Sequence, residues 1–142
     1  MDEKGPSKIR ILHIEDDIEF AESNAFLMGD EFVFSFISTL ADTYGEIERF
    51  GPDIIYLDLD LSGVGTGAGQ EEGISLLQNL REDGKVDIPI VIISSHTSRS
   101  LIAQCIDLGA SYFTSKPVNI TNLKWITRTF AGKGVVDETE QL

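Results

Sequence analysis

Residues 53–60, DIIYLDLD, decide the fold. The run IIYL is apolar throughout, and this pattern predicts a strand over residues 53–57 that is covered on both faces. Strands of this kind are typical of parallel sheets, because the connecting helices lie on both sides of the sheet. Two carboxylates, Asp58 and Asp60, follow the predicted strand, so we expect them at its carboxyl end.

The rest of the chain alternates strands and helices in the same way. Apolar and β-branched runs predict four further strands, over residues 9–14, 32–37, 90–94 and 111–114. The spacing of apolar residues predicts five helices, over residues 18–28, 40–50, 72–82, 97–108 and 120–130. Asp17 is the expected N-cap of the first helix, which should end before Gly29. Five βα units predict an α/β fold with a five-stranded, doubly wound parallel sheet.

The length of 142 residues suits one domain with a core of its own. We predict an N-terminal extension over residues 1–7, a domain over 8–131 and an acidic tail over 132–142. Met1 and the short tail favour a stand-alone domain over a piece of a larger regulator.

The composition excludes several functions. The formal charge of -13 argues against direct nucleic-acid binding, since a phosphate backbone would repel this surface. No apolar run approaches the ~20 residues of a membrane span, so no membrane insertion is expected. The first eight residues, MDEKGPSK, lack the apolar core of a secretion signal. Cys105 is the only cysteine, which excludes a disulfide framework and is compatible with the cytoplasm.

Polar residues collect where the predicted strands end. In a doubly wound sheet ligands bind at the carboxyl ends of the strands. Glu15 and Asp16 follow the first strand, and Asp58 and Asp60 follow the third. Ser94 ends the fourth strand, and Lys116 comes shortly after the fifth. Individually these residues have simpler explanations, such as a strand end for Ser94 and an exposed lysine for Lys116. Because four strand ends all deliver polar side chains to the same edge of the sheet, the sequence predicts a functional site there.

The residue types in this set indicate phosphoryl chemistry. Carboxylates from two strands would repel one another, and a hard divalent cation relieves that repulsion. Oxygen ligands without a Cys or His cluster suit Mg²⁺, with Mn²⁺ as the alternative ion. Lys116 would add a second positive charge and Ser94 a hydroxyl donor for a phosphoryl group in transfer. An aspartate can itself act as the nucleophile and form an acyl phosphate.

Four segments resemble the response-regulator receiver domain of two-component signalling. They are ILHIEDD (11–17), PDIIYLDLDLSG (52–63), IPIVIISS (88–95) and GASYFTSKP (109–117). The resemblance extends over about residues 8–130. Within the family, the chain is similar to single receivers of the chemotaxis-regulator kind. It implies a flavodoxin-like sheet with the strand order 2-1-3-4-5.

The resemblance also implies roles for the site residues. Asp58 would be phosphorylated by a histidine kinase or a phosphotransfer protein. Mg²⁺ would be held by Asp16, Asp58 and the backbone carbonyl of Asp60, with Glu15 acting through water. Lys116 would pair first with the carboxylate and then with the phosphoryl oxygen. The domain would catalyse only its own phosphorylation and dephosphorylation, so it is not expected to be an enzyme in any other sense.

Signalling would follow from two switch residues. Ser94 would move towards the phosphoryl group, and Phe113 would turn inward. The surface of the fourth helix, fifth strand and fifth helix would then change for a downstream protein target. For Phe113 a static core aromatic is the alternative. The family often has a cis peptide before this proline, which makes Lys116–Pro117 a candidate.

Three features depart from the family pattern. Ser62 stands where a proline is usual, and the loop over residues 63–73 is longer and rich in glycine. The third departure is Asp60, an extra charge that we hypothesise alters the lifetime of the phosphoryl group. In the alternative, Asp60 is solvated and contributes only its carbonyl. The role of the loop stays open.

Three other functions compete with this interpretation. DLDLS (58–62) is similar to the signature of haloacid-dehalogenase phosphatases, with Asp58 as nucleophile and Asp60 as general acid, but that signature lies on a first strand. GVGTGA (63–68) matches a dinucleotide fingerprint, but it does not follow a first strand directly. A scaffold that is never phosphorylated is the third alternative.

Overall fold

The computed structural model describes residues 7–60 and 69–132 of the chain. Its strands are β1 (Ile9–Ile14), β2 (Phe32–Ile37), β3 (Ile54–Asp58), β4 (Ile90–Ser94) and β5 (Tyr112–Ser115). Its α-helices are α1 (Ile18–Met28), α2 (Thr43–Phe50), α3 (Gly69–Glu82), α4 (Arg99–Asp107) and α5 (Ile120–Ala131), and a 3₁₀ turn over Leu40–Asp42 precedes α2.

The strands form one parallel sheet in the order β2-β1-β3-β4-β5, which confirms the predicted fold. The chain places β2 on one side of β1 and β3 on the other, so the strand order reverses at β1. Ligands are therefore expected beyond the carboxyl ends of β1 and β3. In the register of the sheet Asp58 lies opposite Ile93, and Ser94 lies opposite Ser115. The polar strand ends therefore meet at one edge of the sheet.

Each face of the sheet is covered by its own apolar core. One core joins alternate strand residues such as Leu12, Leu57 and Ile92 to α2, α3 and α4. The other joins the intervening residues, such as Ile11 and Tyr56, to α1 and α5. Every residue of β3 and β4 is buried, as the unbroken apolar runs predicted.

The helix ends follow local capping rules. Asp17 is the N-cap of α1 and its carboxylate accepts the N–H of Phe20, while Gly29 ends the helix at a φ of 92°; both features were predicted. Ser98 caps α4, so that helix begins at Arg99 and not at the predicted residue 97.

Other predicted boundaries were wrong by a few residues. β3 includes Asp58, because pairing with β4 carries the strand one residue further than its apolar run. β5 likewise begins at Tyr112 and ends at Ser115. The helix α3 begins at Gly69 and not at residue 72. Residues 40–42 form a 3₁₀ turn, so α2 itself begins at Thr43.

Several predictions fall outside the described residues. They concern residues 1–6 of the extension, residues 61–68 of the glycine-rich loop with Ser62, and residues 133–142 of the tail. In the described part of the chain, no helix is both long and apolar enough to cross a membrane.

Candidate functional site

Three carboxylates meet at the carboxyl edge of the sheet. Ligand oxygens of Glu15, Asp16 and Asp58 all lie within 4.8 Å of one another. They come together because β1 and β3 are neighbouring parallel strands and each delivers its acids where it ends. Glu15 and Asp58 are buried and Asp16 is half-buried. Such a set of oxygen donors fits a hard divalent cation such as Mg²⁺.

One carboxylate oxygen in this cluster lacks a hydrogen-bond partner. The Oε2 atom of Glu15 accepts the N–H of Asp17 at 3.1 Å, but Oε1 accepts no hydrogen bond from the described residues. Burial, together with the neighbouring Asp58 carboxylate, raises the pKa of Glu15 to about 9. A cation beside this oxygen would compensate a buried charge that is otherwise unfavourable, so the residues present fit the metal.

Lys116 supplies the positive charge of the cluster. Its Nζ lies 3.1 Å from Asp58 Oδ2 and 3.5 Å from Glu15 Oε1. Burial alone would lower the pKa of Lys116, but attraction to Asp58 and Glu15 outweighs burial and raises it. The backbone N–H of Lys116 donates to Ser94 O at 3.0 Å, and the Lys116–Pro117 peptide is cis, as the resemblance implied.

The side chain of Asp58 is held at both oxygens. Its Oδ1 accepts the backbone N–H of Asp60 at 2.9 Å, and its Oδ2 accepts a hydrogen bond from Lys116. These two contacts fix the orientation of a carboxylate that is itself fully buried. Each oxygen keeps lone pairs beyond the one hydrogen bond it accepts, so the group can still act as a nucleophile.

The carboxylate of Asp60 is bonded to the β4–α4 loop. Its Oδ2 accepts the N–H of Ser95 at 3.3 Å and the hydroxyl of Ser95 at 2.9 Å. Its Oδ1 lies 3.6 Å from Nε2 of His96. The Asp60 side chain therefore links the residues after β3 to the segment after β4.

The two predicted switch residues lie on neighbouring strands, β4 and β5, in different surroundings. Ser94 is buried and its Oγ accepts the N–H of His96 at 3.0 Å. Phe113 is half-buried and packs against the core that joins the sheet to α2, α3 and α4. The structure thus brings together Glu15, Asp16, Asp58 and Lys116, with Asp60 and Ser94 at the neighbouring strand ends. Phe113 lies apart from them in the register of the sheet, opposite Ile92.

Gly73 allows α3 to pack closely on the end of β3. A Cβ at this position would lie 2.8 Å from Leu59 Cδ2 and 2.9 Å from Leu59 Cα. Any side chain would push the helix away from the strand that carries Asp58. Gly73, where the predicted loop 63–73 and the predicted helix 72–82 overlap, is therefore a packing residue inside α3.

Two residues near the site were missed by the sequence analysis. His13 lies in β1, is fully buried, and places Nε2 3.8 Å from Glu15 Oε1. Burial, with a smaller contribution from Lys116, lowers the pKa of His13 to about 3, so the ring is neutral. Phe20 in α1 lies against Lys116. Neither could be found from local sequence, because His13 sits in an apolar run and Phe20 is a helical apolar residue.

Comparison with known sequences gives a consistent family. The response regulator receiver domain matches residues 11–128. The transcriptional regulatory protein KdpE of Staphylococcus aureus is 29% identical over 116 residues, which cover 81% of this chain and 46% of KdpE. The sensory transduction protein RegX3 of Mycobacterium tuberculosis is 26% identical, with 92% and 54% covered. The chain spans about half the length of these relatives.

Solved structures show the same fold. The receiver domain of the Francisella response regulator 1452 superposes with a TM-score of 0.76 at 19% identity, covering 90% of this chain and all of that one (100%). A CheY-like response regulator receiver domain protein of Methanospirillum hungatei gives a TM-score of 0.74 at 20% identity, with 94% and 99% covered. With the family match over most of its length, the chain belongs to the response regulator receiver domains of two-component signalling.

Proposed function

We propose that Asp58 of this receiver domain accepts a phosphoryl group from a phosphohistidine of a histidine kinase or phosphotransfer protein. The arrangement around Asp58 carries the proposal: a buried carboxylate, oriented by Lys116 and by the Asp60 N–H, stands beside two further acids. An oxygen of Asp58 forms the new O–P bond as the P–N bond of the donor breaks. The electron pair of that bond leaves with the imidazole.

Asp16, Asp58 and the carbonyl of Asp60 are the proposed direct ligands of Mg²⁺, with Mn²⁺ as the alternative ion. The metal, when bound, supplies positive charge for the phosphoryl oxygens and for the acids that hold it. Glu15 would act through water, and its buried Oε1, which accepts no hydrogen bond from the described residues, supports that assignment. Lys116 remains within reach of a phosphoryl oxygen on Asp58, because its ammonium already contacts Oδ2.

Ser94 and Phe113 are the proposed switch residues. Ser94 Oγ now accepts a hydrogen bond from the His96 N–H. To bond a phosphoryl oxygen, the Ser94 hydroxyl would reorient, and the segment that begins at Ser95 would move with it. The resulting change on α4, β5 and α5 would be recognised by a downstream protein target. We assign the domain to residues 8–131 and its action to the cytoplasm, with no direct contact to nucleic acid.

Mass spectrometry of the intact protein tests the proposal. With acetyl phosphate and Mg²⁺ the wild type should gain one phosphoryl group, and Asp58→Asn should gain none. Asp30→Asn, which changes an exposed aspartate in the turn after α1, is the matched control and should behave as the wild type. No gain in the wild type would contradict the proposal and favour the unphosphorylated scaffold.

The phosphatase alternative predicts a different result. A haloacid-dehalogenase-type enzyme would release phosphate from a generic phosphomonoester, using Asp60 as general acid. Asp60 is instead held by Ser95, and Asp58 lies on the third strand, so we expect negligible turnover. Steady hydrolysis that Asp60→Asn abolishes would support the phosphatase.

A further inference from the structure

The ring of Phe20 lies over the ammonium of Lys116. Lys116 Nζ is 4.6 Å from the ring centroid, inside the ~6 Å range of cation–π attraction. Phe20 is half-buried in the first turn of α1. We propose that Phe20 is a positioning residue that holds the Lys116 ammonium in the site. This inference rests on the proposed function of Asp58.

The acidic turn before α1 fixes the place of the ring. Glu15 Oε2 accepts the N–H of Asp17 at 3.1 Å, and Asp17 Oδ1 accepts the N–H of Phe20 at 3.0 Å. On the inner side the ring meets His13 edge-on, with centroids 6.2 Å apart and planes at 69°. The position of Phe20 therefore depends on the same turn that delivers the acids of β1.

Lys116 needs such a restraint because its surroundings offer competing partners. The ammonium stands between Asp58 and Glu15, at 3.1 and 3.5 Å. A lysine side chain is long, flexible and strongly hydrated, so it can shift between carboxylates or turn to water. The face of an aromatic ring attracts the positive charge electrostatically, but it does not accept a conventional hydrogen bond from the ammonium. The ring thus restricts the ammonium without neutralising it.

This restraint matters when Asp58 attacks a phosphoryl donor. An oxygen of Asp58 bonds to phosphorus, the P–O bond of acetyl phosphate breaks, and acetate leaves with the electron pair. Positive charge already in place costs no reorganisation at that moment. Loss of the ring should slow phosphorylation by about threefold to tenfold, the range expected for one partly buried cation–π contact.

A series at position 20 tests the role. Phe20→Leu keeps an apolar side chain but removes the π face, whereas Phe20→Tyr and Phe20→Trp retain it. The rate with acetyl phosphate and Mg²⁺ should fall in the leucine variant and recover in the aromatic ones. Phe26→Leu makes the same change at an exposed position of the same helix and should leave the rate unchanged. Phe20→Met replaces the leucine variant if that variant fails to fold.

Proton NMR reads the contact without any phosphoryl transfer. Ring current should move the Lys116 Hε resonances upfield in the wild type, and Phe20→Leu should return them to ordinary lysine values. Ordinary values in the wild type would overturn the inference, and so would equal rates in Phe20→Leu and wild type. Failure of the proposed function is distinguishable, because the wild type itself would then gain no phosphoryl group.

Discussion

Arg81 and Glu15 are both charged residues that folding removes from water, but their surroundings differ. Arg81 is half-buried in α3, and its guanidinium donates to the carbonyls of Gly109, Val86 and Ile88 at 2.6–2.9 Å. Glu15 is buried in the site and keeps one oxygen without a hydrogen-bond partner among the described residues. A charged group whose hydrogen bonds are all supplied by the fold serves stability, whereas a buried carboxylate oxygen that accepts no hydrogen bond is available to a ligand.

Replacing Arg81 should have the largest effect on stability. Arg81→Met keeps the apolar stem but leaves three carbonyls without their charged donor. We expect the free energy of unfolding to fall by roughly 2–4 kcal/mol, measured by urea denaturation. The loop at Gly109 is closely packed on the Arg81 side chain: Gly109 has a φ of 111°, and a Cβ there would lie 2.8 Å from Arg81 Cγ. The conformation of this loop should therefore also depend on Arg81.

The control for this prediction is Arg49→Met. Arg49 is exposed and pairs with Glu46 within one helix, so its loss should leave the unfolding curve close to that of the wild type. An equal decrease in the free energy of unfolding in both variants would contradict the comparison, since the hydrogen bonds from Arg81 to the carbonyls would then add nothing to stability.

Neutralising Glu15 should have the opposite sign. In the folded protein Glu15 keeps a proton at pH 8 that the unfolded chain releases, and this proton uptake costs stability. Glu15→Gln removes that cost, so without metal the variant should be more stable than the wild type by about 1 kcal/mol at pH 8. Mg²⁺ should then stabilise the wild type more than the variant, because the variant lacks one of the acids that hold the ion. A variant that is less stable than the wild type without metal would contradict the proposed role.

The pH dependence gives the sign of this effect independently. The pKa of Glu15 is raised from 4.5 to about 9 in the folded protein, so the folded state holds a proton that the unfolded state releases between these values. The contribution of Glu15 to the free energy of unfolding therefore decreases as the pH rises through this window. The stability difference between Glu15→Gln and the wild type should widen from pH 5 to pH 9.

The smallest effect concerns the charge of Asp60. The Asp60→Asn variant should lengthen the lifetime of phosphorylated Asp58 by about two- to fivefold, because two charges ~4 Å apart interact by roughly 1 kcal/mol even in water. The Ser95→Ala variant removes a hydrogen bond to Asp60 but keeps the charge, so its decay should stay near that of the wild type. An unchanged half-life in Asp60→Asn would refute the hypothesis.

Sequence patterns predicted the order of strands and helices because each has a local cause. The apolar runs set the strands, and Asp17 and Gly29 set the ends of α1. Boundaries failed where tertiary contacts decide them, as where pairing with Ile93 extends β3 to Asp58. The packing role of Gly73 was not predicted, because nothing local shows that Leu59 packs against it.

The site was predictable only in part, for a related reason. The acids, Ser94 and Lys116 each follow a strand, so the topology of a parallel sheet brings them together. The contact of Phe20 with Lys116 joins residues 96 positions apart, and no periodicity signals it. The neutral state of His13 likewise depends on burial by Phe20 and Tyr56, which appears only when the helices have packed.

The identity of the phosphorylated residue is the most direct test of this account. Borohydride reduces an aspartyl phosphate to homoserine, which peptide mass spectrometry can locate. After treatment with acetyl phosphate and Mg²⁺, homoserine should appear at position 58 and should be absent when acetyl phosphate is omitted. Homoserine at Asp16, at Asp60 or at no position would contradict the assignment of Asp58 as the phosphoryl acceptor.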